Sequence, residues 1–187
     1  MKSTLLLSLP LMIAGVACQS GDKEQAQPAP QTEVDAVYSA SLSPANQSGV
    51  SGTVEFSSVA DGTVLVTAVV SGLESGGRFG FHVHEFGDCS APDASSAGGH
   101  YNPMGSPHGA PGNPATERHA GDLGNLEELA EGVAEFESVD SVIRLTGEQT
   151  IEGKAVIVHS GADDFVTQPT GNAGKRLACG VIVRKVQ

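Results

Sequence analysis

Short stretches in which apolar and polar residues alternate recur through most of this chain of 187 residues. The clearest covers residues 62–73, where Val64, Val66, Ala68 and Val70 would share one face of a β-strand. Such strands bury one face and need neighbours on their edges. The pattern therefore predicts a fold of antiparallel strands rather than a helical domain.

Further candidate strands follow the same pattern. They are residues 36–40, 54–56, 79–83, 132–139, 141–146, 153–159 and 177–183. Glycine, asparagine and aspartate separate them, and the chain holds 24 glycines but no tryptophan. This composition is typical of an all-β sandwich or barrel with many tight turns.

Two stretches break the alternation, residues 87–121 and 160–175, and both are rich in glycine, proline and serine. Long loops without regular structure are uncommon in compact domains and often carry function. A third irregular piece, residues 122–131, is acidic and shows no obvious chemistry beyond Asp122.

The segment FHVHEFGDC places His82 and His84 two residues apart on a predicted strand. Both side chains then point the same way, with Val83 on the opposite face. Two imidazoles on one strand supply half of a metal site. Alone, the pattern is a weak signal, and two solvated surface histidines are the alternative.

A second group of possible ligands, His100, His108, His119 and Asp122, follows in the first long loop. Three imidazoles and one carboxylate suit a tetrahedral, structural zinc ion. A flexible glycine-rich loop with incidental histidines is the alternative. It leaves unexplained why this stretch holds half of the six histidines in the chain.

His159 ends the run AVIVH and would give His82 and His84 a third imidazole partner. Copper favours imidazole nitrogen, and Cu(II) prefers four ligands in a roughly square arrangement. His82, His84 and His159 supply only three of those four ligands. Because a histidine ring has two nitrogens, a loop histidine could serve both ions.

The N-terminus has the features of an export signal. Lys2 precedes an apolar run that ends at Gly15-Val16-Ala17-Cys18. We predict a signal peptide over residues 1–17, followed either by a lipid anchor on Cys18 or by ordinary cleavage after Ala17. Residues 18–33 are polar and predict a disordered tether, and residues 34–187 form the folded domain. The expected location is the periplasm or outer cell envelope.

Cysteine content agrees with export. With Cys18 assigned to the terminus, Cys89 and Cys179 remain. In an oxidising compartment two cysteines most simply pair. Two buried free thiols are the alternative.

Five segments together resemble the copper-zinc superoxide dismutases, in particular the exported bacterial type. In chain order they are FHVHEFGDC, GGHYNP, ERHAGDLGN, VHSGADD and GNAGKRLACGVI. The resemblance extends over about residues 34–187. It implies a Greek-key β-barrel or sandwich of about eight antiparallel strands with two long functional loops. It also implies that superoxide is converted to oxygen and hydrogen peroxide by a redox-cycling copper beside a structural zinc.

The resemblance also implies roles for individual residues. His82, His84, His100 and His159 match the copper ligands. His108, His119 and Asp122 match the zinc ligands, and His100 matches the histidine shared by both ions. Asp163 matches the carboxylate that connects the two sites, Cys89 and Cys179 match a disulfide, and Arg176 matches the arginine that orients superoxide.

The net charge of −12 argues against nucleic acid as a partner. It also means that an anionic substrate needs a local positive field, which Arg176 and Lys175 would supply. Pro169 stands where animal relatives carry a channel lysine, so we expect weaker or differently distributed steering. A metal buffer and an adhesion module on the same fold are competing hypotheses. The sequence leaves open whether the chain is a monomer or a homodimer.

Overall fold

The computed structural model describes residues 37–186, which form an antiparallel β-fold without α-helices. Its strands are β1 (Val37–Pro44), β2 (Ser51–Ser58), β3 (Val64–Ser71), β4 (Arg78–His84), β5 (Asp122–Glu127), β6 (Val133–Asp140), β7 (Ala155–His159), β8 (Arg176–Val181) and β9 (Val183–Arg184). The predicted signal peptide, the tether and Cys18 lie outside the described residues. Within residues 37–186, no helix is long and apolar enough to span a membrane.

The strands form one nearly closed barrel in the order β5-β4-β7-β8-β1-β2-β3-β6, with the two-residue β9 beside β1. All of the strand pairs are antiparallel, and non-neighbours in sequence such as β4 and β7 lie side by side. The predicted all-β Greek-key architecture is therefore confirmed. The barrel brings together chain segments that are far apart in sequence, which is what a multi-ligand site requires.

The core follows the predicted alternation. In β3, Val64, Val66, Ala68 and Val70 are buried, with more exposed residues between them. Phe81 of β4 packs edge-on against Phe136 of β6, with ring centroids 5.2 Å apart. Burial of each such side chain stabilises the fold by about 1.5–3 kcal/mol relative to an exposed position.

Strand β4 departs from the alternation because both of its faces are buried. Phe81 and Val83 belong to the hydrophobic core. His82 and His84 point to the opposite face and are also buried, with 0% and 1% exposure. The two long loops therefore cover the outer face of the barrel at the point where the histidines emerge.

Two secondary-structure predictions are wrong. Residues 141–146 form a loop, since the carboxylate of Asp140 accepts the N–H groups of Val142 and Ile143 and turns the chain away from β6. Conversely, residues 122–127 of the stretch predicted to be irregular form β5, paired with β4. The polar sequence of this segment does not show the alternation typical of a strand. It forms a strand because it pairs with β4.

A disulfide joins Cys89, at the start of the first long loop, to Cys179 of β8. The two Cα atoms are 5.8 Å apart, and 90 positions separate the residues in sequence. The predicted pairing is confirmed, and the first long loop is thereby covalently attached to the barrel.

Candidate metal centre

Two groups of possible metal ligands meet between the barrel and its loops. Their members are His82, His84, His100 and His159 in one group, and His100, His108, His119 and Asp122 in the other. In each group the potential ligand atoms all lie within 4.8 Å of one another. No member is more than 6% exposed. We call them the strand cluster and the loop cluster.

The strand cluster is positioned by sheet register. His82 of β4 lies opposite Ile157 of β7, so His159 at the end of β7 comes to the same region of the barrel face. A register irregularity between Val158 and His159 marks the end of the β7–β8 pairing. His100 approaches from the first loop through a single β-bridge with His84, and its ring centroid lies 4.0 Å from that of His82.

Hydrogen bonds on the outer side of the strand cluster decide which nitrogens face inward. His84 Nδ1 donates to the carbonyl of Gly98 at 2.9 Å, and His159 Nδ1 donates to that of Gly174 at 3.3 Å. His82 uses its Nε2 instead and donates to Asp163 at 2.8 Å. In neutral rings these bonds leave lone pairs on the Nε2 of His84 and His159 and on the Nδ1 of His82.

These inward nitrogens fit a bound cation. His84 Nε2 and His159 Nε2 are 3.3 Å apart, so two lone pairs face each other. His82 Nδ1 and His100 Nε2 are buried and have no hydrogen-bond partner among the described residues. Each unpartnered buried group costs about 1–3 kcal/mol. A metal ion accepting these lone pairs would remove that cost, and four imidazole nitrogens suit copper.

The loop cluster is organised around the carboxylate of Asp122, the first residue of β5. Asp122 Oδ1 lies 2.8 Å from His100 Nδ1 and 3.2 Å from His119 Nδ1. Asp122 Oδ2 accepts the backbone N–H groups of His119 and Gly109. It is also 3.0 Å from His108 Nδ1, although that nitrogen has no well-directed hydrogen bond within residues 37–186. Three ring nitrogens and one carboxylate therefore lie close enough together to serve as the four ligands of a tetrahedral zinc ion.

Asp163 connects the two clusters from the second loop. Its Oδ2 accepts from His82 Nε2 at 2.8 Å, and its Oδ1 accepts from His108 Nε2 at 2.9 Å. Gly171 lies against this contact with φ +65°, and a Cβ atom there would come 1.8 Å from Asp163 Oδ1 and 2.6 Å from His108 Nε2. Only glycine fits both the backbone conformation and the space.

The two clusters differ in their titration. Burial lowers the pKa of His84 and His159 well below the usual value, and that of His100 to about 4. Burial also acts to lower the pKa of His108, but the carboxylates of Asp122 and Asp163 outweigh it and raise this pKa to about 9. In the metal-free protein the strand cluster is thus neutral at pH 7, which is the form that binds metal, whereas His108 must lose a proton.

Arg176 begins β8 beside the strand cluster. Its guanidinium donates to the carbonyls of Ala94 at 2.6 Å and Gly98 at 2.5 Å, and the second carbonyl also accepts from His84 Nδ1. The side chain lines a shallow depression whose other residues are Asn46, Asp93, Ser95, Gly174 and Lys175. A cationic group is therefore fixed next to the strand cluster and remains partly accessible.

Sequence reasoning missed two amide side chains that hold the site. Asn125 of β5 accepts from the backbone N–H of Asp163 at 2.7 Å and donates to its carbonyl at 3.0 Å. Gln168 pairs in the same way with the backbone of His108. An asparagine inside a strand is uncommon and could have drawn attention to position 125. Position 168 carries no local signal, because its partner is 60 residues away.

Two comparisons with known proteins bear on this geometry. The sequence profile of the family described as Copper/zinc superoxide dismutase (SODC) matches residues 50–182, well over half of the chain. A solved structure titled "Crystal Structure Analysis of the clock protein EA4" is similar with a TM-score of 0.71 and 40% sequence identity, over 80% of this chain and 94% of that one. The resemblance seen in the five sequence segments is thereby confirmed, as are copper and zinc as cofactors of the family. The chain belongs to the copper/zinc superoxide dismutase family.

Proposed function

We propose that this protein is an exported superoxide dismutase, which converts two superoxide ions and two protons to oxygen and hydrogen peroxide. The observation that carries the proposal is the position of His100 in both clusters. Its Nδ1 lies in the loop cluster, 2.8 Å from Asp122 Oδ1, and its Nε2 faces the strand cluster. An imidazole placed in this way can link two metal ions of different chemistry.

The donor sets support an assignment of one metal to each cluster. His82, His84, His100 and His159 would hold copper, and His100, His108, His119 and Asp122 would hold zinc. Copper, when bound, supplies the one-electron oxidation and reduction that dismutation needs. Zinc has no redox chemistry, so the loop cluster serves to fix His100.

The protein's own groups supply binding and proton handling. Arg176 attracts the superoxide anion and orients it beside the strand cluster, since its guanidinium is held by two carbonyls. His100 can hold a proton at Nε2, the atom that faces the substrate side. Asp163 keeps the protons of His82 and His108 on Nε2 and so keeps their Nδ1 atoms available as ligands.

Metal analysis combined with a superoxide assay on the purified protein tests this function. We expect one copper and one zinc per chain, loss of activity when copper is removed, and recovery on adding copper but not zinc. Stoichiometric copper and zinc without superoxide consumption would favour the metal-buffer hypothesis instead. The measurement has to be made on this chain, because the related solved structure is named as a clock protein.

The role of Arg176 is tested by an Arg176→Ala variant with full metal content. Loss of substrate orientation should lower the second-order rate constant by about tenfold or more. The rate of the parent protein should also fall as ionic strength rises, because screening weakens the local field. Loss of metal in the variant, or a parent rate independent of salt, would contradict this role.

Export is proposed from the N-terminal sequence, and the disulfide is compatible with it. Mass spectrometry of the mature N-terminus tests it. A lipid-modified Cys18 supports an envelope anchor, and an unmodified Cys18 terminus supports simple cleavage after Ala17. A chain that still begins at Met1 contradicts both.

A further inference from the structure

The side chain of Gln168 holds the main chain of His108 across the two long loops. Gln168 Oε1 accepts the His108 N–H at 2.8 Å, and Gln168 Nε2 donates to the His108 carbonyl at 2.9 Å. The two residues are 60 positions apart. Both backbone polar groups of a loop-cluster residue are thus bound by one amide from the opposite loop.

The chain beside His108 is held by the Gly109 N–H, which donates to Asp122 Oδ2, and by Asn102, which pairs with the backbone of Ser106. Within residues 37–186, however, only Gln168 makes hydrogen bonds to the N–H and carbonyl of His108 itself. The segment GSPHGAPGNP is rich in glycine and proline and contains no strand. The imidazole of His108 reaches Asp163 Oδ1 with its Nε2 and lies 3.0 Å from Asp122 Oδ2 with its Nδ1. A small rotation of the His108 backbone would therefore move Nδ1 away from the other ring nitrogens of the loop cluster.

Gln168 itself stands on a well-bonded turn. The carboxylate of Asp164 accepts the N–H groups of Val166 and Thr167 and the hydroxyl of Thr167. Gly171 N–H donates to the Thr167 carbonyl at 2.7 Å, and Asp164 N–H donates to the Gly171 carbonyl at 2.9 Å. Although Gln168 is exposed, these hydrogen bonds hold the backbone on both sides of it. The side-chain amide of Gln168 therefore extends from a fixed position.

We propose that Gln168 is a positioning residue for the zinc ligand His108. It sets the distance of His108 Nδ1 from Asp122 through the backbone of His108, while Asp163 sets the ring orientation. Binding both the N–H and the carbonyl of His108 needs an amide side chain, because an amide carries one acceptor and one donor side by side. Glutamate has the same shape but offers two acceptors, and it would face the His108 carbonyl with a negative oxygen.

This inference rests on the proposed zinc assignment, and it is tested with the full chain loaded with copper and zinc. Gln168→Ala and Gln168→Glu are compared with the parent protein and with Gln149→Ala. Gln149 is an exposed glutamine whose side chain makes no hydrogen bond within residues 37–186. Zinc release to a chelator is timed, and Co²⁺ placed in the zinc site is followed by its visible absorption bands.

Both Gln168 variants should release zinc roughly tenfold faster, which is the scale of losing supporting partners around a metal ligand. Their cobalt bands should shift, since the ligand geometry changes, whereas Gln149→Ala should match the parent in both measurements. Unchanged release and unchanged cobalt bands in both Gln168 variants would overturn the inference while leaving the proposed function intact. A lower unfolding temperature of the metal-free variants without a shift of the cobalt bands would also overturn it, because the role would then be structural only. A parent protein that binds no zinc would overturn the zinc assignment and this inference with it.

Discussion

The strand cluster and the loop cluster share His100 but are held in different ways. In the strand cluster, His82, His84 and His159 lie on the paired strands β4 and β7, so sheet register sets their spacing. In the loop cluster, His108 and His119 lie on irregular chain and are gathered by the carboxylate of Asp122. A ladder of backbone hydrogen bonds fixes one cluster, and a few side-chain contacts fix the other.

Because strands hold one cluster and loops hold the other, the two clusters should respond differently when a metal ion binds. Ligands on rigid strands need little ordering when an ion binds, whereas ligands on loops lose conformational entropy at that moment. The loop cluster compensates with supports from the barrel and from the second loop, namely Asn125, Asp163, Gln168 and Gly171. We therefore expect the loop cluster to be the more sensitive of the two to changes outside its own ligands.

The largest effect is expected from removing the covalent link between loop and barrel. Replacing Cys89 and Cys179 together by serine should lower the free energy of unfolding by about 3–5 kcal/mol, because a crosslink over a long loop restricts the unfolded chain. Chemical denaturation of the metal-free protein measures it. A loss below about 1 kcal/mol would contradict this expectation, because the crosslink would then contribute no more than a single hydrogen bond.

The next largest effect concerns the centre of the loop cluster. Asp122→Asn should weaken zinc binding by roughly a hundredfold or more, since a proposed ligand and its charge are lost together. Copper binding should change much less, because three of its four proposed ligands are held by strands. Competition titrations with each metal measure both affinities, with Asp61→Asn in an exposed turn as the control. Equal losses for the two metals would show that the clusters are not supported separately.

A smaller effect is expected at the contact between the loops. Gly171→Ala should displace Asp163 from His108 and weaken zinc binding by about tenfold. Gly147→Ala is the matched control, because Gly147 also has a positive φ, +85°, but no atom lies within 4 Å of an added Cβ. Both variants carry the same kind of backbone strain. If they bind zinc equally well, the Asp163 contact does not support the loop cluster.

The last effect, spread over several pH units, is on the pH dependence of the metal-free protein. Burial lowers the pKa of the strand-cluster histidines, so their stabilising contribution is complete above pH about 6.5 and is lost as the pH falls. The pKa of His108 is raised to about 9, so its contribution is complete below pH about 6.5 and is lost as the pH rises through 9. Each group contributes a slope of at most about 1.4 kcal/mol per pH unit.

Between pH 5 and 9, the free energy of unfolding of the metal-free protein should therefore be highest near neutral pH. The lowered pKa of His100 reduces it on the acid side, and the raised pKa of His108 reduces it on the alkaline side. In His108→Gln the decline on the alkaline side should disappear, and the decline on the acid side should remain. An alkaline decline that persists in this variant would contradict the assignment of the raised pKa to His108.

Much of the candidate site could be predicted because its possible ligands carry strong local signals. His82 and His84 are two positions apart on a strand, and His119 and Asp122 are three apart in one turn. The supports could not be predicted in this way. Gln168 looks like any loop glutamine, and Asn125 falls in a stretch that the alternation rule assigned to irregular chain. Their importance comes from single contacts with residues 60 and 38 positions away.

The sequence by itself determined the β-class of the domain, through alternating burial, and the identity of the possible ligands, through the rarity and spacing of histidine. Tertiary structure decided which nitrogen of each ring faces inward, because that choice depends on carbonyls of Gly98 and Gly174 and on Asp163. It also decided that residues 122–127 form a strand and residues 141–146 do not. Local pattern records what each residue prefers, whereas hydrogen-bond partners and strand neighbours are supplied by distant parts of the chain.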